Sequence, residues 1–309
     1  MVNPSNDKGL SSCQKTNENN SVIYPDDLVK VTEMNHILEV QHMEKMNNKN
    51  HIQKIDKDRY IDKKTGEIKE FKHIENRKDS YNSLRQTFKK LRYLINNNFV
   101  GDPNELHVIL TYKENMRDTE RLYKDFKRFM TRLKRKYKDK STIDYLSVVE
   151  PQGRGAWHCH VLLRFNDLDR IFIKNSDLRK MWGQGYVKIK SLKEVDNIGA
   201  YLSAYLADVE LSEETAIKAI EEKREVVTKR IEGKEKKIIK GGRLHMYPPG
   251  MNLYRKSKGV EYPEREMMSY KKAKEKVGSA QPNLSRSYEV DAGDFKNTII
   301  FEQYNLKRL

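Results

Sequence analysis

Two histidines one residue apart, His158 and His160, lie in the run Ala156-Trp157-His158-Cys159-His160-Val161-Leu162-Leu163-Arg164-Phe165. Strand alternation puts Trp157, Cys159, Val161, Leu163 and Phe165 on one face, read as the core face, and His158, His160 and Arg164 on the other. Two imidazoles placed i, i+2 on one strand face can chelate a single metal ion. The turn Pro151-Gln152-Gly153-Arg154-Gly155 precedes this strand. If it centres on Arg154, Glu150 falls directly opposite His158, and Val148 opposite His160. Two imidazoles and a carboxylate leave coordination positions open for water and a phosphate oxygen. That donor set suits Mg2+ or Mn2+ acting as a Lewis acid. A histidine-triad hydrolase needs a third histidine at position 162, which is Leu162, and a structural zinc site needs thiolates that the core-facing Cys159 does not offer.

A second group follows in Ile198-Gly199-Ala200-Tyr201-Leu202-Ser203-Ala204-Tyr205-Leu206-Ala207-Asp208. Tyr201 and Tyr205 are four residues apart, one above the other on a helix face, with Leu202, Leu206 and Val209 as the adjacent packing stripe. A tyrosine hydroxyl near a metal-polarised phosphate can act as a nucleophile and form a phosphotyrosine ester. Paired tyrosines alone are more often packing residues. Their position one strand after a His-x-His motif favours the chemical role. Gly199-Ala200 before Tyr201 is expected to admit a close DNA backbone, which favours Tyr201 as the first nucleophile.

The elements around these residues can be read from periodicity. His107–Tyr112 and Ile143–Glu150 are predicted strands, Ala156–Phe165 is a third and Tyr186–Ser191 a fourth. Between them, Asn115 or Asp118 could cap a helix to about Lys136 with the stripe Leu122, Phe126, Phe129, Leu133 and Tyr137. A short helix near Ser176–Trp182 stops at Gly183, and another runs from about Asp196 to Asp208. The order β-α-β-β-α-β-α predicts an α+β fold: a central antiparallel β-sheet of ferredoxin-like or RRM-like type with helices on one face. Four segments are expected along the chain. Residues 1–56 read as largely disordered, with at best a short helix around Asp27–Lys45. Residues 57–104 read as a hairpin turning at Lys64–Gly66 plus a basic helix carrying Tyr81, Leu84, Phe88, Leu91 and Ile95. Residues 105–210 form the core, and 211–309 a long charged helix over Ser212–Lys237 followed by an irregular extension.

Composition narrows the function classes. The 309 residues carry 61 Lys+Arg against 45 Asp+Glu, a formal charge of +16, which points to a polyanion such as nucleic acid. The excess is concentrated over residues 77–140, with 18 basic and 8 acidic residues. No apolar run approaches membrane-span length and no signal-peptide core is evident, so a bacterial cytoplasmic protein without a membrane partner is expected. Two cysteines exclude a disulfide scaffold, and no Walker-type phosphate loop is present.

The strand His107–Tyr112, the stretch from Glu150 to His158-Cys159-His160, and Tyr201-Leu202-Ser203-Ala204-Tyr205 together resemble the HUH endonucleases. Within that superfamily they resemble the rolling-circle replication initiators (Rep proteins) of bacterial plasmids and phages. The resemblance covers residues 105–210, in the family's order. It implies a metal-dependent nickase and strand transferase acting on single-stranded and hairpin origin DNA through a 5′-phosphotyrosine. In that scheme Tyr201 and Tyr205 are nucleophiles, His158 and His160 metal ligands, and Glu150 the third ligand. Many such initiators carry lysine three residues after a catalytic tyrosine, where this chain has Ala204 and Asp208. Lys188 and Lys190 are then the candidates for positioning the scissile phosphate, with Arg154 a further DNA-binding candidate. No helicase is appended, so a host helicase and replication machinery are expected partners. Relaxases place their tyrosines before the histidine motif, opposite to the order here. A transposase with the same strand-transfer chemistry and a non-catalytic nucleic-acid-binding module are the alternatives.

Overall fold

The computed structural model describes residues 22–46, 52–56, 58–71, 81–152, 155–207, 209–210, 226–231, 234–239, 246–248, 251–291 and 296–308. The chain forms two compact units, one from residues 1–73 and 263–309 and the other from residues 74–262. This division cuts across the four linear segments expected from composition.

In the second unit, strands β6 (Glu105–Leu110), β7 (Ile143–Pro151), β8 (Trp157–Phe165) and β9 (Val187–Lys190) join β13 (Tyr254–Lys256) in a five-stranded sheet. Its order is β13-β7-β8-β6-β9, and every pairing is antiparallel. With helices α1 (Tyr81–Asn98), α2 (Thr119–Tyr137), α3 (Asn175–Trp182) and α4 (Ile198–Ala207), the core reads β6-α2-β7-β8-α3-β9-α4. The fold is α+β, with β8 inserted between β6 and β7 as in a split β-α-β motif. Local signals set the helix ends. Asp118 caps α2, its carboxylate accepting from the backbone N–H groups of Glu120 and Arg121. Gly183, at φ 72°, ends α3 in the left-handed conformation that glycine adopts without a Cβ clash.

Helices cover both sheet faces, not one. Trp157, Cys159, Val161, Leu163 and Phe165 pack with Leu122, Phe126, Phe129 and Leu133 of α2 and with Leu178 and Trp182 of α3. On the opposite face, Leu146, Val148 and Leu162 are buried under Leu91, Leu94 and Ile95 of α1 and Ile198, Leu202 and Leu206 of α4. The physical reason lies in the same alternation that exposes the histidines. His158 and His160 share their face with Leu162, Leu146 and Val148, and an apolar half-face must be covered, each such side chain contributing about 1.5–3 kcal/mol on burial.

The charged helix expected over Ser212–Lys237 is absent where the chain is described. Strands β11 (Val226–Ile231) and β12 (Lys234–Ile239) pair antiparallel, with β10 (Val209–Glu210) on the other side of β12. Residues 211–225 lie outside the described residues. The β-branched residues Val226, Val227, Thr228, Ile231, Ile238 and Ile239 favour strand over helix despite the intervening lysines and glutamates.

In the first unit, β1 (Leu28–Met34) and β2 (Ile37–Met43) form a hairpin where disorder or a short helix is expected. They join β14 (Arg265–Ser269), β15 (Leu284–Asp291) and β16 (Lys296–Asn305) in the order β14-β1-β2-β16-β15. Helix α5 (Tyr270–Val277) contributes Ala273 and Val277 to a core with Val29, Val31, Leu38, Val40, Ile300 and Tyr304. The partner strands of β1 and β2 come from the far end of the chain, so local composition conceals the pairing. A small sheet, β3 (Ile52–Lys54), β4 (Arg59–Asp62) and β5 (Ile68–Glu70), contains the expected turn, with Gly66 at φ 73°. Among the described residues no helix is long and apolar enough to cross a membrane.

Candidate active site

The β7–β8 hairpin adopts the expected register: Glu150 pairs with His158 and Val148 with His160. Glu150 and His160 are buried, whereas His158 is half-buried at the rim. His160 uses both ring nitrogens. Its Nε2 lies 2.5 Å from Glu150 Oε2, and its Nδ1 lies 3.1 Å from His107 Nε2 on β6. The chain Glu150–His160–His107 thus spans three adjacent strands. Burial pushes the His107 pKa down to about 3, with the neighbouring His160 and Lys190 adding to the effect, so this ring is neutral near pH 7. Its Nδ1 is buried without a hydrogen-bond partner. Sequence reasoning places His107 in a strand and gives it no further role. The signal is available in parity: Val108 and Leu110 belong to the core face, so His107 and Ile109 share the histidine face.

On the other side of β6, β9 presents Lys188 and Lys190 to the same face. Lys190 Nζ donates to the Tyr201 hydroxyl oxygen at 3.3 Å, bridging β9 and α4. The start of α4 is fixed by asparagines. Asn197 Oδ1 accepts from the Ala200 N–H at 2.9 Å, Asn96 Oδ1 accepts from the Gly199 N–H at 2.8 Å, and the two side chains bond to each other at 3.1 Å. Gly199 does not face an open DNA path. A Cβ there would meet Asn96 Oδ1 at 2.6 Å and the Arg92 carbonyl oxygen at 2.8 Å, so this glycine serves the close approach of α4 to α1. Tyr205 follows one turn after Tyr201 on α4, with its side chain outside the described residues, as is Arg154.

Glu150, His158, His160, Lys188, Lys190 and Tyr201 line one cavity of about 420 Å³, with His107 in its wall. Among the described residues no group of three or more His, Cys, Asp or Glu side chains is disposed as a metal site. The donor chemistry nevertheless fits a divalent cation. His160 Nε2 and Glu150 Oε2 point at one another, and His158 stands opposite Glu150 in the ladder. His107 occupies the second nitrogen of His160, which leaves Nε2 as the ligating atom, the usual arrangement of an oriented metal-binding histidine.

No curated protein and no solved structure matches the chain. Residues 105–210, about a third of the chain, match the family model of the ORF2-type replication-associated proteins. All the cavity residues named above fall within that stretch, which supports a replication-associated role for this part of the protein.

Proposed function

We propose that this protein nicks single-stranded DNA at a replication origin and rejoins it, with Tyr201 as nucleophile, and so starts rolling-circle replication. The observation that carries the reading is the convergence of the Tyr201 hydroxyl, the Lys190 ammonium and the Glu150–His160 pair on one cavity, within the stretch that matches the replication family. In the nicking step Tyr201 Oη attacks the phosphorus. The bond from phosphorus to the 3′ oxygen breaks, its electron pair leaves with that oxygen, and a proton is taken up to give a free 3′-OH. The 5′ phosphate stays on the tyrosine, and attack by a 3′-OH reverses the step. Lys190 beside the phenolic oxygen, together with Lys188, offers positive charge to the phosphate as it is attacked. Glu150, His158 and His160 would hold Mg2+ or Mn2+, which when bound polarises a phosphate oxygen. Tyr205 is the second nucleophile in this reading. A host helicase and replication machinery in a bacterial cytoplasm supply strand separation and synthesis.

The test is adduct formation with an origin oligonucleotide in the presence of Mn2+, read as a shifted band in a denaturing gel. Native protein should form the adduct, and the Tyr201→Phe, Tyr205→Phe double variant should not. An adduct in the double variant would overturn the assignment. Binding without an adduct across several divalent metals would instead favour a non-catalytic nucleic-acid-binding module.

A further inference from the structure

We infer that the DNA strand engaged at the Tyr201 cavity continues over the β9 edge of the sheet into a basic trough formed by α3 and α2. This rests on the reading that the cavity handles single-stranded DNA. Three hollows adjoin in sequence. Tyr186 and Val187 line the 420 Å³ cavity and also line a second hollow of about 620 Å³, together with Arg179 and Lys180. Lys180 in turn lines a third hollow of about 340 Å³, with Arg132, Arg135 and Lys136 from α2. Because β9 is an edge strand, no further strand blocks the route from one face to the other among the described residues.

The chemistry along this route is that of a single-strand track. Tyr186 is 67% exposed, and the Arg179 guanidinium lies 4.8 Å from its ring centroid. An exposed ring held by a cation is a platform on which an unpaired base can stack, and a paired base cannot use it. Beyond it, Arg132 Nη1 donates to the Met181 carbonyl at 2.8 Å, which holds the guanidinium at the trough. Lys136 is partly compensated by Asp177 of α3, at 3.1 Å. Arg121 and Arg128, on the same α2 stripe, pair with the buried Asp125. Arg135 and Lys180 are exposed. Phosphates following a stacked base would meet these cations in order.

The test uses full-length Tyr201→Phe protein, so that binding is read without cleavage. Single-stranded oligonucleotides of about 8 and about 20 nucleotides span one and several contact points respectively. In fluorescence anisotropy, the added Arg135→Ala, Lys180→Ala pair should weaken the long oligonucleotide roughly fivefold. It should also flatten its salt dependence by about 1.4 in slope, the value for two lost single-strand phosphate contacts, and leave the short one unchanged. Tyr186→Ala should weaken the long one by about tenfold. Unchanged affinity and slope in both variants would overturn the trough. So would a loss confined to substrates carrying a flanking duplex. If the short oligonucleotide binds and only the variants fail to differ, the cavity reading survives and the trough does not. If the parent binds neither length, both fall.

Discussion

Lys190 Nζ stands 3.3 Å from the Tyr201 hydroxyl oxygen and directly links the last residue of β9 to the first turns of α4. A lysine from a neighbouring strand thus occupies the place that sequence reasoning seeks three residues beyond the tyrosine. Lys190→Met should therefore slow adduct formation by about 10- to 100-fold, the rate equivalent of losing one charge-assisted hydrogen bond of about 1.5–3 kcal/mol. Lys190→Arg should recover part of the rate. Single-turnover nicking alongside oligonucleotide binding separates this from a loss of affinity.

His107 reaches the site through His160, so its removal should be felt in cation affinity. His107→Phe is expected to weaken Mn2+ binding by about 10- to 100-fold, because the His160 ring loses the partner that fixes its orientation. Calorimetric titration with Mn2+ measures the effect, and oligonucleotide binding without metal should change little.

Gly199→Ala introduces a Cβ into space held by Asn96 and Arg92. The expected cost is about 1–3 kcal/mol from overpacking between α1 and α4. It should appear as a lower melting temperature together with reduced nicking, because the same contact sets the position of Tyr201. A melting temperature equal to that of the native protein would contradict the packing argument.

Glu105 provides a pH test of the fold. Burial pushes its carboxyl up to about 6, against the partly compensating N–H groups of Gly101 and Val100. Its folded pKa exceeds the ordinary 4.5, so the folded state holds the proton more tightly than the unfolded chain. The stability from this group is complete below pH 4.5 and declines as the pH rises through about 6. The loss amounts to roughly 2 kcal/mol. Glu105→Gln should remove that dependence from urea unfolding curves recorded across the interval.

The strand alternation of residues 157–165 determined by itself which side of β8 meets the core, since side chains two apart cannot avoid sharing a face. The short turn before it determined the Glu150–His158 register, since antiparallel pairing leaves little freedom once the turn centre is chosen. Asp118 and Gly183 announced their helix ends through their own backbone and side-chain chemistry. Non-local relations were hidden. The β1–β2 hairpin carries too few apolar residues to declare itself until β16 and α5 bury them. The β11–β12 pair was obscured because lysine and glutamate at helical spacing say nothing about a strand partner. In the site, the link from His107 to His160 joins residues 53 apart, and the lysine beside Tyr201 comes from another strand. Periodicity fixes the face of a side chain. Which side chains from different strands and helices meet on that face is decided by sheet order and helix packing, and only the tertiary structure contains those.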